Sequence, residues 1–460
     1  MSVATAISIP QLRAELHGRA IVPGDPDYDE TRVVMYDPED AHPGVIIRAA
    51  DVSDVVRAVS LAGETGLDLA IRCGGHSAAS HSTVEGGIVL DLRDLRDIDI
   101  DVVGRTVWAG GGLTAVELST AVGAEGLAIG FGDTGSVGIG GITTGGGIGY
   151  LARKDGLTID NLLAAEIVTA DGQILRVDAD THPDLFWAIR GGGGNFGVVT
   201  RFQFRLHPLD HIVGGILILP ATPDTVAAFV AAAEAAAEEL STIANVMNCP
   251  PMPFVPEEVH GTVVIMGILC YAGDTPAGER SIAPFRAIAK AHADLVHESP
   301  YVEIYPPEDP DYHPKAVSKT MFIDRVDRAV AETIVAHLEA SDAPLRVAQI
   351  RVLGGAVARV PSDETAYAHR KSRILVNVAS FYEGPDDKPV REAWVDDLAA
   401  AIYQGDDGAY VNFVGDEGPE RVRAAYPGAT WDRLAVIKAR YDPTNLFHRN
   451  QNIPPATPAN

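Results

Sequence analysis

Cysteine is scarce in this chain, with only three residues in 460, Cys73, Cys249 and Cys270. So few, so widely spaced, exclude a disulfide framework. No CxxC or HExxH occurs either, so no structural or hydrolytic metal site is expected. Basic residues are also short, 36 against 63 acidic ones, for a net charge of −27. Neutralising phosphates needs a basic face, so neither nucleic acid nor an anionic membrane surface is an expected partner. No run approaches the roughly 20 apolar residues that span a bilayer. The first 19 residues lack a charged segment followed by an apolar one, so no secretory signal is expected. A cytoplasmic, reduced protein is the expectation that follows.

Glycine and proline are abundant, at 46 and 30. The length calls for two or three domains. The first half reads as short strands and helices in alternation. Strands are predicted at 44–48, 69–72, 87–92, 106–109, 164–169, 174–177 and 198–206, with helices at 51–63 and 114–122. Beyond 211 the pattern changes. Helices are predicted at 223–240, 279–292 and 327–339, and strands at 214–219, 262–271, 346–353 and 374–382. That order implies an antiparallel sheet backed by helices, an α+β arrangement.

Three glycine-rich segments stand out. Arg72-Cys73-Gly74-Gly75-His76-Ser77 follows a strand. Its glycines can turn successive N–H groups into one concavity suited to a pyrophosphate, or can simply make a tight turn. The segment 138–149 carries glycines at Gly138, Gly140, Gly141, Gly145, Gly146, Gly147 and Gly149. Such a stretch is not expected to form a helix or strand, and lets a flat ligand approach the backbone. In the third, 190–197, Gly192, Gly194 and Gly197 match GxGxxG. A helix is predicted before it and a strand after it, the reverse of a Rossmann fingerprint, so a nicotinamide site is rejected.

Together these segments resemble the FAD-linked oxidases of the vanillyl-alcohol oxidase (PCMH-type) superfamily, in the berberine-bridge-enzyme-like branch. The resemblance runs through Arg72–Ser77, the stretch 145–157 with Asp160-Asn161-Leu162, Pro183–Thr200, and Tyr441–Phe447 with 450–455. It implies a two-part PCMH-type FAD-binding domain over 1–208. An α+β substrate domain follows over 209–409, and a segment over 410–460 returns to the FAD domain. It implies FAD bonded at its 8α carbon to His76. A second, cysteinyl bond is excluded, because Thr134 stands at the cysteine position of the family motif, here Thr134-Gly135-Ser136-Val137-Gly138.

The residues this resemblance assigns to FAD are His76, Arg72, Cys73, Gly74, Gly75, Ser77, Thr134, Gly138, Gly140, Gly141, Thr144, Gly145, Gly147, Gly149, Asn195, Val199, Asn450 and Asn452. Val137 is expected beside the reactive flavin edge, where a small side chain admits oxygen; simple packing is the alternative. Gln349 and Arg351 share one face of a predicted strand. A glutamate common in relatives near Gln349 is missing, so the proton acceptor is left open. Tyr410 and Asn412 match a family strand returning toward the flavin. Tyr410 would serve as base only with a depressed pKa. The expected reaction moves a hydride from a small alcohol or amine to flavin N5, with O2 reduced to H2O2. The alternatives are a dehydrogenase of the same fold using another acceptor, and a non-catalytic flavin-binding protein. The expected partners are a small-molecule substrate and O2, in a monomer or homodimer.

Overall fold

The structure is a computed structural model that describes residues 7–36, 39–309 and 311–457. Its amino-terminal part holds two sheets. The first has the order Arg19–Ile21, Val45–Arg48, Ile88–Asp91, Leu69–Arg72. Its last three strands run parallel. Two parallel strands in sequence need a crossover, here the helix Val52–Thr65. Asp51 caps that helix by accepting from the N–H groups of Ser53 and Asp54, and Gly66 ends it in the left-handed region. Val55, Ala58, Val59 and Ala62 form its buried face, spaced as an amphipathic helix requires. The crossover delivers the chain, at the end of Leu69–Arg72, into the first glycine loop.

The second sheet is antiparallel, in the order Ile98–Asp101, Thr106–Gly110, Val198–Arg205, Leu162–Val168, Ile174–Asp178. Helix Ala115–Gly123 packs beside it, opened by a capping box between Thr114 and Glu117.

The carboxy-terminal part is built on one large antiparallel sheet. Its order is Ala293–Asp294, Ile212–Pro220, Val263–Tyr271, Leu240–Asn248, Arg346–Val352, Ile374–Phe381, Ala316–Ile323, with His297–Ser299 also pairing Ile212–Pro220. Helices Pro223–Ala235, Thr275–Arg286, Arg328–Ala340 and Lys388–Ile402 all bury apolar residues against one face, among them Phe229, Phe285, Leu338 and Leu398. Strand alternation then sorts the rest: Ala348, Ile350 and Val352 join that core, while Val347, Gln349 and Arg351 point the other way. The α+β arrangement of helices on one sheet face is as expected.

Several local expectations are corrected. The helix predicted over 223–240 stops at Ala235, and Leu240–Asn248 is a strand. All nine of its residues are buried, so it shows no half-exposed alternation. The alanine run before it extends the helical pattern past the true end. The helix expected at 279–292 is Thr275–Arg286, started by Asp274. Strand Ala316–Ile323 and helix Lys388–Ile402 were not anticipated. Nor were helices Pro419–Ala425 and Ala429–Tyr441 in the tail. Tyr410 and Asn412 lie on no strand: Val411–Phe413 is a single 3-10 turn. Finally, the second glycine segment does contain a helix, Ile139–Gly145. Its seven residues are pinned by packing rather than by propensity, since Ile139, Gly140, Thr143 and Thr144 are buried.

Candidate functional site

The sheets and the tail enclose a cavity of about 1300 Å³. The first two glycine segments meet at its wall. A Cβ on Gly74 would sit 2.3 Å from the Gly138 nitrogen, and one on Gly138 only 2.2 Å from the Gly74 nitrogen. Backbone against backbone at that separation admits no side chain, which is why both positions are glycine. Gly75 takes φ +78, and a side chain there would press on Val34. Gly140 backs onto the Cys73 sulfur, where a Cβ would lie 2.5 Å away. Burial pushes the Cys73 thiol up to about 12, so it is an inert packing group.

Most of the residues assigned to FAD line this cavity. Cys73, Gly74, Gly75, His76, Ser77, Thr134, Gly138, Gly140, Gly141, Thr144, Asn195, Val199 and Asn450 are all at its surface, as is Val137. Gly141 is open: nothing lies within 4 Å of where its Cβ would be. Asn450 presents a buried Oδ1 with no partner. Bare backbone beside an unsatisfied amide oxygen suits a flat, hydrogen-bonding dinucleotide. The residues present therefore fit FAD.

Five of the assigned residues are not at the cavity surface. Arg72 does not reach the cavity. Its guanidinium donates to the carbonyls of Thr31 and Val33, and burial pulls its pKa down to about 10. It is a strut beneath the loop. Gly145, Gly147 and Gly149 are likewise absent from the cavity surface. Added Cβ atoms there would sit 1.9 Å from Asn412 Oδ1, 2.0 Å from Thr158 Oγ1 and 1.5 Å from the Phe131 carbonyl oxygen. These glycines permit packing inside the protein. Asn452 keeps an unpartnered Oδ1 but is not among the lining residues.

The third glycine segment is stapled to the tail. The Asn195 amide donates to the carbonyls of Gly192 (2.9 Å) and Gln451 (3.1 Å), and its Oδ1 accepts from Ile453 N–H at 2.9 Å. Behind it, Lys438 is wholly buried. Its Nζ donates to the Asn195 and Phe447 carbonyls, both at 2.8 Å, and to Asp442 Oδ2 at 2.7 Å. Asp442 in turn accepts from the N–H groups of Leu446 and Phe447. This explains the Asp442-Pro443 turn, and nothing in the local pattern of Lys438 announced it.

The opposite wall comes from the large sheet. Arg351 is 3% exposed. Its Nη2 reaches Asp133 Oδ2 at 2.5 Å and Gln349 Oε1 at 2.7 Å. Gln349 donates onward to Asn245 Oδ1 at 2.9 Å, and the Arg351 guanidinium lies 5.1 Å from the Phe413 ring centre. Asn377, opposite Gln349 in the strand register, has a buried Oδ1 without a partner. Asp133 was missed by sequence reasoning, because a carboxylate 218 residues from its partner has no local signature. Tyr410 also lines the cavity. Its hydroxyl accepts from Gly147 N–H (3.0 Å), Ile148 N–H (3.2 Å) and Asn412 Nδ2 (2.9 Å). Burial nevertheless raises its pKa. The condition set for Tyr410 as base, a depressed pKa, is not met. Its geometry is that of a group holding the 146–148 turn and orienting Asn412.

His76 donates or accepts at Nε2 with Ser136 Oγ, 2.8 Å away. Burial lowers its pKa, against the pull of Glu308 and Asp133, which favours the neutral imidazole. Among the described residues no group of His, Cys, Asp and Glu is placed to hold a metal ion, and no helix is long and apolar enough to cross a membrane.

A family model described as an FAD binding domain matches residues 43–178, and one described as berberine and berberine-like matches 409–454. The chain is 31% identical to the FAD-linked oxidoreductase YvdP of Bacillus subtilis (strain 168), covering 96% of this chain and 99% of that one. It is 28% identical to the (R)-6-hydroxynicotine oxidase of Paenarthrobacter nicotinovorans, over 96% and 97% of the two chains. The crystal structure of 6-hydroxy-D-nicotine oxidase from Arthrobacter nicotinovorans superposes with a TM-score of 0.84 at 26% identity, covering 96% of this chain and 98% of that one. The Physcomitrella patens protein BBE-like 1 shares the fold, at TM-score 0.86 and 22% identity, over 98% and 100% of the chains.

Proposed function

The chain belongs to the FAD-linked oxidoreductases of the PCMH-type, berberine-bridge-like family, and from that premise we propose that it is an oxidase of a small alcohol or amine. In this reading FAD is bonded through His76 alone. The carrying observation is one continuous cavity that joins His76, Val137 and the glycine loops to the amide and guanidinium face of Gln349, Asn377 and Arg351. We place the cofactor domain at 1–208, the substrate domain at 209–409 and a returning tail at 410–460. In support, among the described residues no strand before Pro208 pairs with one after it.

Bound there, FAD supplies a two-electron acceptor for a substrate C–H hydride, and dioxygen carries the electrons away as H2O2. The protein supplies the rest. Gly74, Gly138 and Gly141 let the backbone approach the cofactor. Thr134 leaves no thiol for a second bond. Val137, half-buried at the wall, keeps a small side chain where oxygen must enter. Gln349 and Asn377 offer amides that orient a polar substrate group. A substrate O–H or N–H must lose its proton in step with the hydride. The carboxylate at this face is Asp133, held by Arg351, and it replaces Tyr410 as the group offered for that proton.

The test is direct. Anaerobic mixing with alcohols and amines should bleach the flavin absorbance with at least one of them. Readmitting air should return the colour and release one peroxide per turnover. Bleaching without peroxide in air would instead mark a dehydrogenase. No bleaching by any compound would leave a flavin-binding protein. Acid precipitation should keep the yellow colour with the protein, and His76→Ala should release it.

A further inference from the structure

Ser136 sits between His76 and Glu308, a carboxylate that the reaction proposed above does not use. Its hydroxyl donates to Glu308 Oε2, and its backbone N–H donates to Glu308 Oε1 at 3.0 Å. The same hydroxyl oxygen lies 2.8 Å from His76 Nε2. Glu308 comes from the other half of the molecule, 172 residues away. It reaches Ser136 because Gly135 has no side chain. A Cβ there would already touch Tyr305 Cβ at 3.3 Å and Glu308 Oε1 at 3.4 Å.

The donor count settles the tautomer. A hydroxyl has one proton to give, and a carboxylate only accepts. Ser136 gives its proton to Glu308, so it must accept from His76. The imidazole proton is therefore on Nε2, and Nδ1 carries the free lone pair. Among the described residues, no hydrogen bond to Nδ1 competes for it. We propose that Ser136 and Glu308 are positioning residues for flavin attachment, holding His76 as its Nε2–H tautomer and stabilising the charge it gains when Nδ1 forms the bond. This rests on the reading that His76 carries the flavin.

A bond forms between His76 Nδ1 and the flavin 8α carbon, and one C–H bond of that carbon breaks. The C–H proton and the imidazole N–H proton are both released. The electron pair passes through the ring system to dioxygen, so one O2 becomes one H2O2 per bond made. During bond formation the imidazole becomes cationic. A carboxylate one hydroxyl away then favours that state, as the carboxylate partner of an active-site histidine does.

The experiment uses the full chain, produced with little flavin and then incubated with FAD in air. Three quantities are read: acid-stable flavin fluorescence on a denaturing gel over time, the affinity for FAD before attachment, and the attached nitrogen by NMR of the flavin peptide. Glu308→Gln and Ser136→Ala should slow attachment by about tenfold or more, the size of a lost charge-assisted hydrogen bond. Both should bind FAD as wild type does, and Ser136→Thr, which keeps the hydroxyl, should attach at close to the wild-type rate. Loss of tautomer control in Ser136→Ala should also yield some Nε2-linked product. If both variants attach at the wild-type rate while wild type holds its flavin, this proposal alone is overturned. If attachment and FAD affinity fall together and threonine does not rescue, the pair is structural and the proposal again fails. If wild type releases all its flavin into acid, the histidyl reading falls and takes this one with it.

Discussion

Arg351 and Asp133 meet across the cavity from elements that share no local sequence context. Arg351 is almost wholly buried, and Asp133 has a side chain 24% exposed. A buried charge left without its partner is costly. Asp133→Asn, which leaves the buried Arg351 guanidinium without its counter-charge, should therefore lower stability by about 3 kcal/mol, read as a shift in denaturant midpoint. Arg351→Met should cost less, because the carboxylate it leaves behind is partly exposed to solvent. The double variant should be more stable than the sum of the singles implies, which a double-mutant cycle measures. Turnover should fall roughly 10- to 100-fold in Asp133→Asn if its carboxylate receives the substrate proton. An unchanged turnover would remove Asp133 from the reaction and leave it a partner of Arg351 only.

The short helix Ile139–Gly145 lines the cavity with Gly140, Gly141, Ile142 and Thr144, and is the element on which cofactor binding turns in the proposed reading. Glycine in a helix costs about 0.5–1 kcal/mol relative to alanine. Gly141 has open space where its Cβ would be and no positive φ, so Gly141→Ala should stabilise the FAD-free protein by that amount. The same methyl projects into the cavity. FAD affinity should therefore drop while the melting temperature without FAD rises. Those opposite signs, read by thermal melts with and without FAD, separate a cofactor-facing glycine from a merely flexible one. Gly138→Ala should behave differently. Its methyl would fall on the Gly74 backbone, so both stability and FAD affinity should fall.

On the scale of the whole molecule, the tail is bound by one buried ion pair. Lys438 and Asp442 both have fully buried side chains. Lys438→Met should destabilise by about 3–5 kcal/mol and loosen Asn195 and the 446–453 stretch, weakening FAD binding as well. Buried phenols set the alkaline limit. Burial raises the pKa of Tyr150, Tyr301, Tyr367, Tyr410 and Tyr426 above the ordinary 10.0. Below pH 10 each is protonated whether folded or not and contributes no pH dependence. Above it, the unfolded chain releases protons that the folded chain retains. Stability should thus fall as pH rises beyond about 10, and denaturant midpoints measured from pH 8 to 11 should show a steepening decline.

Much of the amino-terminal half was legible because its signals are local. Asp51 before an apolar periodic run starts a helix, and glycines after Leu69–Arg72 make a loop. The order of helix, glycines and strand around Gly192–Gly197 excluded a Rossmann site without any structure. Residue identity by itself also carried the expectation of no cysteinyl bond, since Thr134 has no thiol. What only tertiary structure decided are matters of distance and burial. Leu240–Asn248 is a strand because it is enclosed on both faces. Gly145, Gly147 and Gly149 admit no side chain because Asn412, Thr158 and Phe131 fill the space where a Cβ would go. The Tyr410 pKa is raised rather than depressed because burial outweighs the hydrogen bonds to its oxygen. Asp133, Lys438 and Glu308 acquire their parts from partners far along the chain, brought within hydrogen-bond reach only when the sheets close on one another.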